Sequence, residues 1–284
     1  MLYDKLRVLV IGKNSFIAKH FIKVCLKNKI NHISCSHFNI PKKFNNFDWV
    51  INFTINPRFF FDQYSQIIDQ DALIAKNVSK YKNVKYVMLS SRLVYGYDTS
   101  LEPASENQRL RQKSNITYGL NKILSEQNCR SIISPSNLLI ARGSNVFGYE
   151  INRNSFTGIA LNTLLTKSEI LLDISKDTIR DFIPVNFFAR YLFKLITNNC
   201  FGIYNIGSGL GLKLEEFCNA LIEGFDYGTL KSFDNLTVKD QFILDNKKLI
   251  NVTNKKIYKS DIIKYAKNIG KKLKKEAKVK KING

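Results

Sequence analysis

Cysteine, histidine and tryptophan are scarce in this chain, with five, three and one among 284 residues. The cysteines (Cys25, Cys35, Cys129, Cys200 and Cys218) are odd in number and form no C-x-x-C pair, which speaks against a disulfide framework or a redox dithiol. They read as reduced thiols and point to a cytoplasmic protein. With only His20, His32 and His37 available, a His/Cys metal centre is not expected. No run of about 18 apolar residues occurs, so no integral membrane segment is expected. The opening "MLYDKLRVLVIG" carries an acid and a base before a short apolar run and does not look like a signal peptide. Five prolines and no low-complexity linker leave no obvious hinge between domains.

Acidic residues are also few: 23 Asp and Glu against 44 Lys and Arg give a net charge of +21. Such a surplus suits nucleic acid or an anionic membrane surface. The lysines are spread out, however, and accompany an Asn/Ile/Lys bias of the whole chain. No groove-reading motif is present, so no nucleic-acid partner is expected. The dense basic stretch "KKLKKEAKVKKING" reads as a solvated helix end followed by a frayed terminus. Peripheral contact with a membrane surface is its alternative reading.

What is present is an alternation of strand-like and helix-like runs. "RVLVI" (7–11), "HISCS" (32–36), "DWVINFT" (48–54), "VKYVMLSS" (84–91) and "NLLIAR" (137–142) read as strands. Between them "FIAKHFIKVCL", the stretch 61–81 and "YGLNKILSEQNCRSI" (118–132) have helical spacing. Fully apolar strands suit a parallel sheet covered on both faces. The pattern predicts an α/β, Rossmann-type doubly wound parallel sheet. Residues 1–150 would form the NAD(P)-binding domain. Residues 151–284 would form a smaller, mixed substrate-binding region at the carboxyl edge of the sheet, part of it returning to the first domain.

"GKNSFIA" (12–18) follows the first strand and opens a helix, where a dinucleotide loop would carry glycines. Gly12 is present, but Ser15 and Ala18 stand in the other two places, so an ordinary βα turn explains the stretch equally well. The second strand ends "SCSHFN" with no acid to hold a ribose 2′-hydroxyl. That leaves room for a 2′-phosphate, with Lys13 as its partner, and favours NADPH over NADH or use of both.

Tyr118 and Lys122 stand at i and i+4 of a predicted helix and share one face. An ammonium close to a phenol lowers its pKa from about 10 and lets it act as a general acid or base. Ser91, at the end of the preceding strand and 27 residues before the tyrosine, could hydrogen-bond the same substrate oxygen. Tyr-x-x-x-Lys alone is common on helix surfaces.

Together, "VLVIGKNSFIAKHFI", "DWVINFT", "VMLSSRLVYG", "TYGLNK", "ARGSNVFG", "RDFIPV" and "GIYNIGSG" resemble the extended short-chain dehydrogenase/reductases, the NAD-dependent epimerase/dehydratase family. The resemblance runs from about residue 6 to residue 225. It implies Ser91, Tyr118 and Lys122 as catalytic residues. It implies Gly12, Ser15, Phe16 and Ile17 around the cofactor pyrophosphate, with Thr54, Tyr118 and Lys122 also at the cofactor. Asn145 and Arg180, together with Ser91, are implied at a nucleotide-sugar substrate. A homodimer through the helix carrying Tyr118 is a further implication. The sequence departs from the family's pattern at Ser15, which brings a Cβ where glycine is usual, and at Pro184, where His is frequent.

In this family 4,6-dehydratases carry an Asp-Glu pair after the catalytic Ser or Thr, and Arg92 and Leu93 stand there instead. Epimerases usually have the acidic ribose anchor that is missing. The resemblance therefore implies NAD(P)H-dependent reduction of a nucleotide-linked 4-keto-6-deoxy or dideoxy sugar for surface polysaccharide. An epimerase of the same fold is the first alternative, and a non-catalytic basic binding module the second.

Overall fold

The structure is a computed structural model that describes residues 6–96, 101–110, 116–233 and 236–282. Strand β1 (Arg7–Ile11) leads through the Gly12 turn into helix α1 (Phe16–Lys27) and then strand β2 (Asn31–Cys35). Strand β3 (Trp49–Asn52), helix α2 (Gln70–Val78) and strand β4 (Lys85–Ser91) follow, then helix α3 (Thr117–Ile132) and strand β5 (Leu138–Gly143). The alternation expected from the sequence is therefore present. Val8, Leu9, Val10 and Ile11 of β1 and all of β3 are buried, as strands covered on both faces must be.

Beyond β5 come strand β6 (Asn145–Phe147), helix α4 (Phe156–Lys167), strand β7 (Glu169–Leu172) and strand β8 (Ile179–Pro184). Helix α5 (Val185–Thr197) then leads to strand β9 (Gly202–Ile206), strand β10 (Gly211–Lys213), helix α6 (Leu214–Phe225) and strand β11 (Thr229–Ser232). Helices α7 (Lys247–Thr253) and α8 (Lys259–Ile282) complete the order. The main sheet is parallel, in the order β2-β1-β3-β4-β5-β9. Strand β9 thus brings the second half of the chain back to the edge of that sheet. Two small sheets, β10-β8-β6 and β11-β7, lie outside it. One core cluster contains Val8, Val10 and Phe21 with α5, and the other contains Leu9, Ile11 and Met88 with Ile74 and Cys129.

The helix expected over 61–81 is shorter, because polar residues fix a turn instead. Pro57 opens a single 3-10 turn, Pro57–Phe60, capped by Asn56. The carboxylate of Asp69 then accepts from the Ala72 amide (3.0 Å) and the Tyr64 hydroxyl (2.6 Å), so α2 starts only at Gln70. The basic C-terminal stretch is helical through Ile282, with residues 283–284 outside the described range. Ile262, Ala266, Ile269 and Leu273 of α8 are buried, and Gly224 and Gly270 let α8 approach α6 closely. No helix among the described residues is long and apolar enough to cross a membrane.

Candidate active site

The turn after β1 is built around Gly12, whose φ of +86° favours glycine. A Cβ at Gly12 would lie 2.7 Å from Cγ2 of Thr54, so Thr54 and the loop are in direct contact. The amides of Gly12 and Lys13 both donate to the Cys35 carbonyl (2.8 and 3.0 Å), tying the loop to the end of β2. Ser15 has ordinary extended φ and ψ, and its hydroxyl caps α1 by accepting from the Ala18 amide (3.3 Å). Its Cβ therefore introduces no backbone strain, and serine supplies a cap that glycine could not. Phe16 and Ile17 open the helix, at the positive end of its dipole. The Phe16 ring lies against Gly148 and beneath the Arg153 guanidinium (4.5 Å), so its side chain packs while its backbone borders the loop.

Two serines end β4 and face opposite ways, as strand residues must. Ser90 is buried and donates to Glu126 of α3 (2.6 Å). The same carboxylate receives the Arg142 guanidinium (2.6 and 2.9 Å), a fully buried pair. Ser91 is partly exposed and caps the 3-10 turn Arg92–Tyr95 by accepting from the Leu93 amide (3.2 Å). Helix α3 packs against that turn at Gly119, where any Cβ would strike the Leu93 carbonyl. Tyr118 is thereby carried beside the segment that follows Ser91.

The Tyr118 ring stacks on Phe60 (4.7 Å between centroids, 14° between planes) and meets Phe59 edge-on. The Asn121 amide holds that aromatic turn by donating to the Phe59 and Asp62 carbonyls (2.9 Å each). One turn further along, Lys122 is buried and donates to Asp71 Oδ2 (2.8 Å) and the Leu89 carbonyl (2.9 Å). Burial alone would depress the Lys122 ammonium, but the Asp71 carboxylate outweighs it and holds its pKa above the ordinary lysine value. Tyr118 goes the other way from the sequence expectation. Burial raises its phenol, Lys122 lowers it, Asp71 raises it again, and the net shift is upward. The lysine acts, but a carboxylate that sequence reasoning overlooked opposes it.

Asn145 and Arg180 lie on paired strands, since Asn145 of β6 is in register with Phe182 of β8. The Asn145 Nδ2 is buried and meets no hydrogen-bond acceptor among the described residues. Arg180 and Arg92 both reach Asp240, Arg180 at 3.2 Å and Arg92 through a two-pronged contact at 2.5 and 2.6 Å. "RDFIPV" and "GIYNIGSG" meet through Asp181, which accepts from Ser208 N (2.8 Å), Ser208 Oγ (2.7 Å), Gly209 N (3.1 Å) and Leu244 N (3.2 Å). Those two motifs therefore also have a structural reason to be present.

Asp71, Phe60, Arg153 and Asp240 escaped the sequence reading. Asp71 did carry a signal, because it shares the i, i+3, i+4, i+7 stripe of Ile74, Ala75 and Val78, the buried face of α2. An acid on such a stripe needs a buried partner. The other three are brought in by loops whose course spacing does not encode.

A sequence profile described as the NAD dependent epimerase/dehydratase family matches residues 8–207. Solved structures share the fold. An NAD-dependent NDP-hexosamine 5,6-dehydratase of tunicamycin biosynthesis is 16% identical with a TM-score of 0.76, covering 94% of this chain and 98% of that one. The dTDP-glucose 4,6-dehydratase of Bacillus anthracis, in complex with NAD, is 15% identical (TM-score 0.75; 96% and 99% covered). The UDP-glucose 4-epimerase of Thermus thermophilus, also with NAD, is 18% identical (TM-score 0.75; 94% and 99% covered).

Proposed function

The chain belongs to the NAD dependent epimerase/dehydratase family, and on that premise we propose that it reduces the 4-keto group of a nucleotide-linked 6-deoxy or dideoxy sugar. The observation that carries this reading is the pairing of Tyr118 with Lys122 on one face of α3, beside the turn that follows Ser91.

Two features of the β1–α1 turn fit a nicotinamide dinucleotide. Gly12 gives the turn its positive φ and lets it lie against Thr54, where a Cβ would clash, and the first turn of α1 presents backbone N–H groups at the positive end of its dipole. Gly12, Ser15, Phe16 and Ile17 would border the pyrophosphate, and Thr54 would lie beside it. Lys13, at the end of an acid-free β2, favours the 2′-phosphate of NADPH, with NADH as the second choice. When bound, the cofactor would supply a hydride.

Ser91 would hydrogen-bond the C4 carbonyl oxygen and orient it. Tyr118 would give its phenolic proton to that oxygen as it becomes an alkoxide, and would regain a proton from solvent. Lys122 would stabilise the transient phenolate and reach the cofactor ribose with an N–H that neither Asp71 nor Leu89 uses. Asn145 Nδ2 and Arg180 would meet the substrate diphosphate. Arg92 supports reduction over dehydration, because no acid stands at that position to expel a hydroxyl.

The test is NADPH or NADH oxidation by the purified protein with CDP-, dTDP- and GDP-linked 4-keto-6-deoxysugars. Oxidation with one of them is the expected result. No oxidation across verified substrates, with oxidised cofactor retained through purification, would overturn the reading in favour of an epimerase.

A further inference from the structure

We propose that Asp71 is a positioning residue. It neutralises and orients the Lys122 ammonium and so keeps the Tyr118 phenol as a proton donor, the form that carbonyl reduction requires. The inference rests on the reading of Tyr118 as the acid–base group of the site and specifies how that group is held.

The geometry is a closed relay of side chains. Asp71 is 4% exposed and Lys122 3%. Asp71 Oδ2 accepts from Lys122 (2.8 Å), while Oδ1 accepts from Asn52 Nδ2 (2.8 Å) and the Tyr86 hydroxyl (2.9 Å). Asn52 Oδ1 in turn accepts from the Thr54 hydroxyl (2.6 Å) and amide (2.9 Å). The relay therefore runs without a break from Thr54, in contact with the Gly12 loop, to Lys122. An ammonium has three N–H donors, and Asp71 and the Leu89 carbonyl fix two of them. The direction of the third is thereby set.

The charges around Tyr118 can be named element by element. Helix α3 supplies Lys122 and α2 supplies Asp71. The segment after β6 supplies Arg153, which also donates to the Val146 carbonyl (3.1 Å). The turn Pro57–Phe60 presents Phe59 and Phe60 to the ring, and its Arg58 pairs with Asp62 at the surface (2.6 Å). Arg92 is engaged by Asp240. A bare ammonium in this apolar surrounding would draw the phenol toward its ionised form. Paired with a carboxylate in contact, it presents a dipole whose field is much weaker at the ring.

The experiment is a tyrosinate titration by absorbance at 295 nm on the full chain without cofactor or substrate. Subtracting from each variant the same titration of that variant carrying Tyr118→Phe isolates the Tyr118 phenol from the other tyrosines, among them Tyr86, which also bonds Asp71. Asp71→Asn should lower the Tyr118 midpoint by about one pH unit, the usual effect of removing a like charge at short range. The double variant Asp71→Asn/Lys122→Met, which removes both charges, should return it close to the parent. Lys122→Met alone should lie about one unit above the double variant. This last comparison carries the test if Asp71→Asn does not fold. A midpoint that is unmoved in Asp71→Asn, or Lys122→Met titrating with the double variant, would overturn the proposal. The titration uses no sugar and no nicotinamide, so its failure is distinct from failure of the reductase assay.

Discussion

Ser90 and Ser91, adjacent at the end of β4, are committed to different tasks: one is bonded into the core and the other caps the turn Arg92–Tyr95. On the role proposed for Ser91, the two should differ in turnover. Ser90→Ala leaves Glu126 bonded to Arg142 but removes one buried donor, and should cost about 1 kcal/mol of stability with a modest effect on turnover. Ser91→Ala should lower kcat about tenfold or more, as loss of a donor to a developing oxyanion does, and should also cost up to about 1 kcal/mol because it removes the cap on the Leu93 amide. Thermal melts and rates on the same two variants check this. Equal rates in the two variants would sink the assignment of Ser91.

Tyr118→Phe should reduce turnover by about 10²–10⁴-fold, the range for loss of a general acid, while circular dichroism and Tm stay close to the parent. The pH dependence has a definite sign. The Tyr118 phenol is held above its usual range, so it is protonated at neutral pH. The reductive rate should therefore be flat through neutrality and fall as pH rises through the tyrosine's titration. The reverse oxidation, which needs the phenolate, should climb over the same interval. Initial rates in both directions from pH 6 to about 11.5, past the ordinary tyrosine value of about 10, test it. A reductive rate that rises with alkalinity contradicts Tyr118 as donor.

The parallel sheet was legible because its signal is local and repeated. A strand buried on both faces is apolar along most of its buried run, and residues 8–11 of β1 and 49–51 of β3 are. The helix α3 was equally legible, and with it the shared face of Tyr118 and Lys122. The Asp71–Lys122 pair spans 51 residues of sequence, and no spacing rule reports which of several acids folds onto a given lysine. The direction of the Tyr118 shift follows first from burial of the phenol, which spacing does not report, and then from that unseen carboxylate. Asp240 is a similar case, since it meets Arg92 across 148 residues. The shortened α2 was hidden for another reason: Asp69 reads as an ordinary helical residue until Tyr64 and Ala72 are seen to bond it.

Gly12 and Ser15 make opposite demands. Gly12→Ala forces a side chain into positive φ, with its Cβ 2.7 Å from Thr54. A cost of at least about 1 kcal/mol and a marked loss of nicotinamide dinucleotide binding are expected. Ser15→Gly should change stability by only a few tenths of a kcal/mol, and Ser15→Ala by about 1 kcal/mol, because it removes the cap on Ala18. Chemical denaturation and cofactor titration of the three variants separate the effects. Tighter cofactor binding by Ser15→Gly would show that the serine side chain obstructs the phosphates after all.

Cofactor choice should be decided where the β1–α1 turn meets β2. The Lys13 amide is fixed to the Cys35 carbonyl (3.0 Å), which holds Lys13 at the strand end where the ribose of a bound dinucleotide lies in this fold. The ammonium is close enough to oppose the burial that raises the Cys35 thiol. Since no acid follows Cys35 to repel a 2′-phosphate, Lys13 is the residue that would distinguish the two nicotinamides by charge. Lys13→Ala should reduce the NADPH-to-NADH ratio of kcat/KM about tenfold, equivalent to about 1.4 kcal/mol, mainly through the KM for NADPH. Ser36→Asp should lower the ratio further by placing a carboxylate where the 2′-phosphate would sit and a 2′-hydroxyl could donate to it. A ratio indifferent to both substitutions would mean that the ribose lies elsewhere and that the missing acid carries no information about the cofactor.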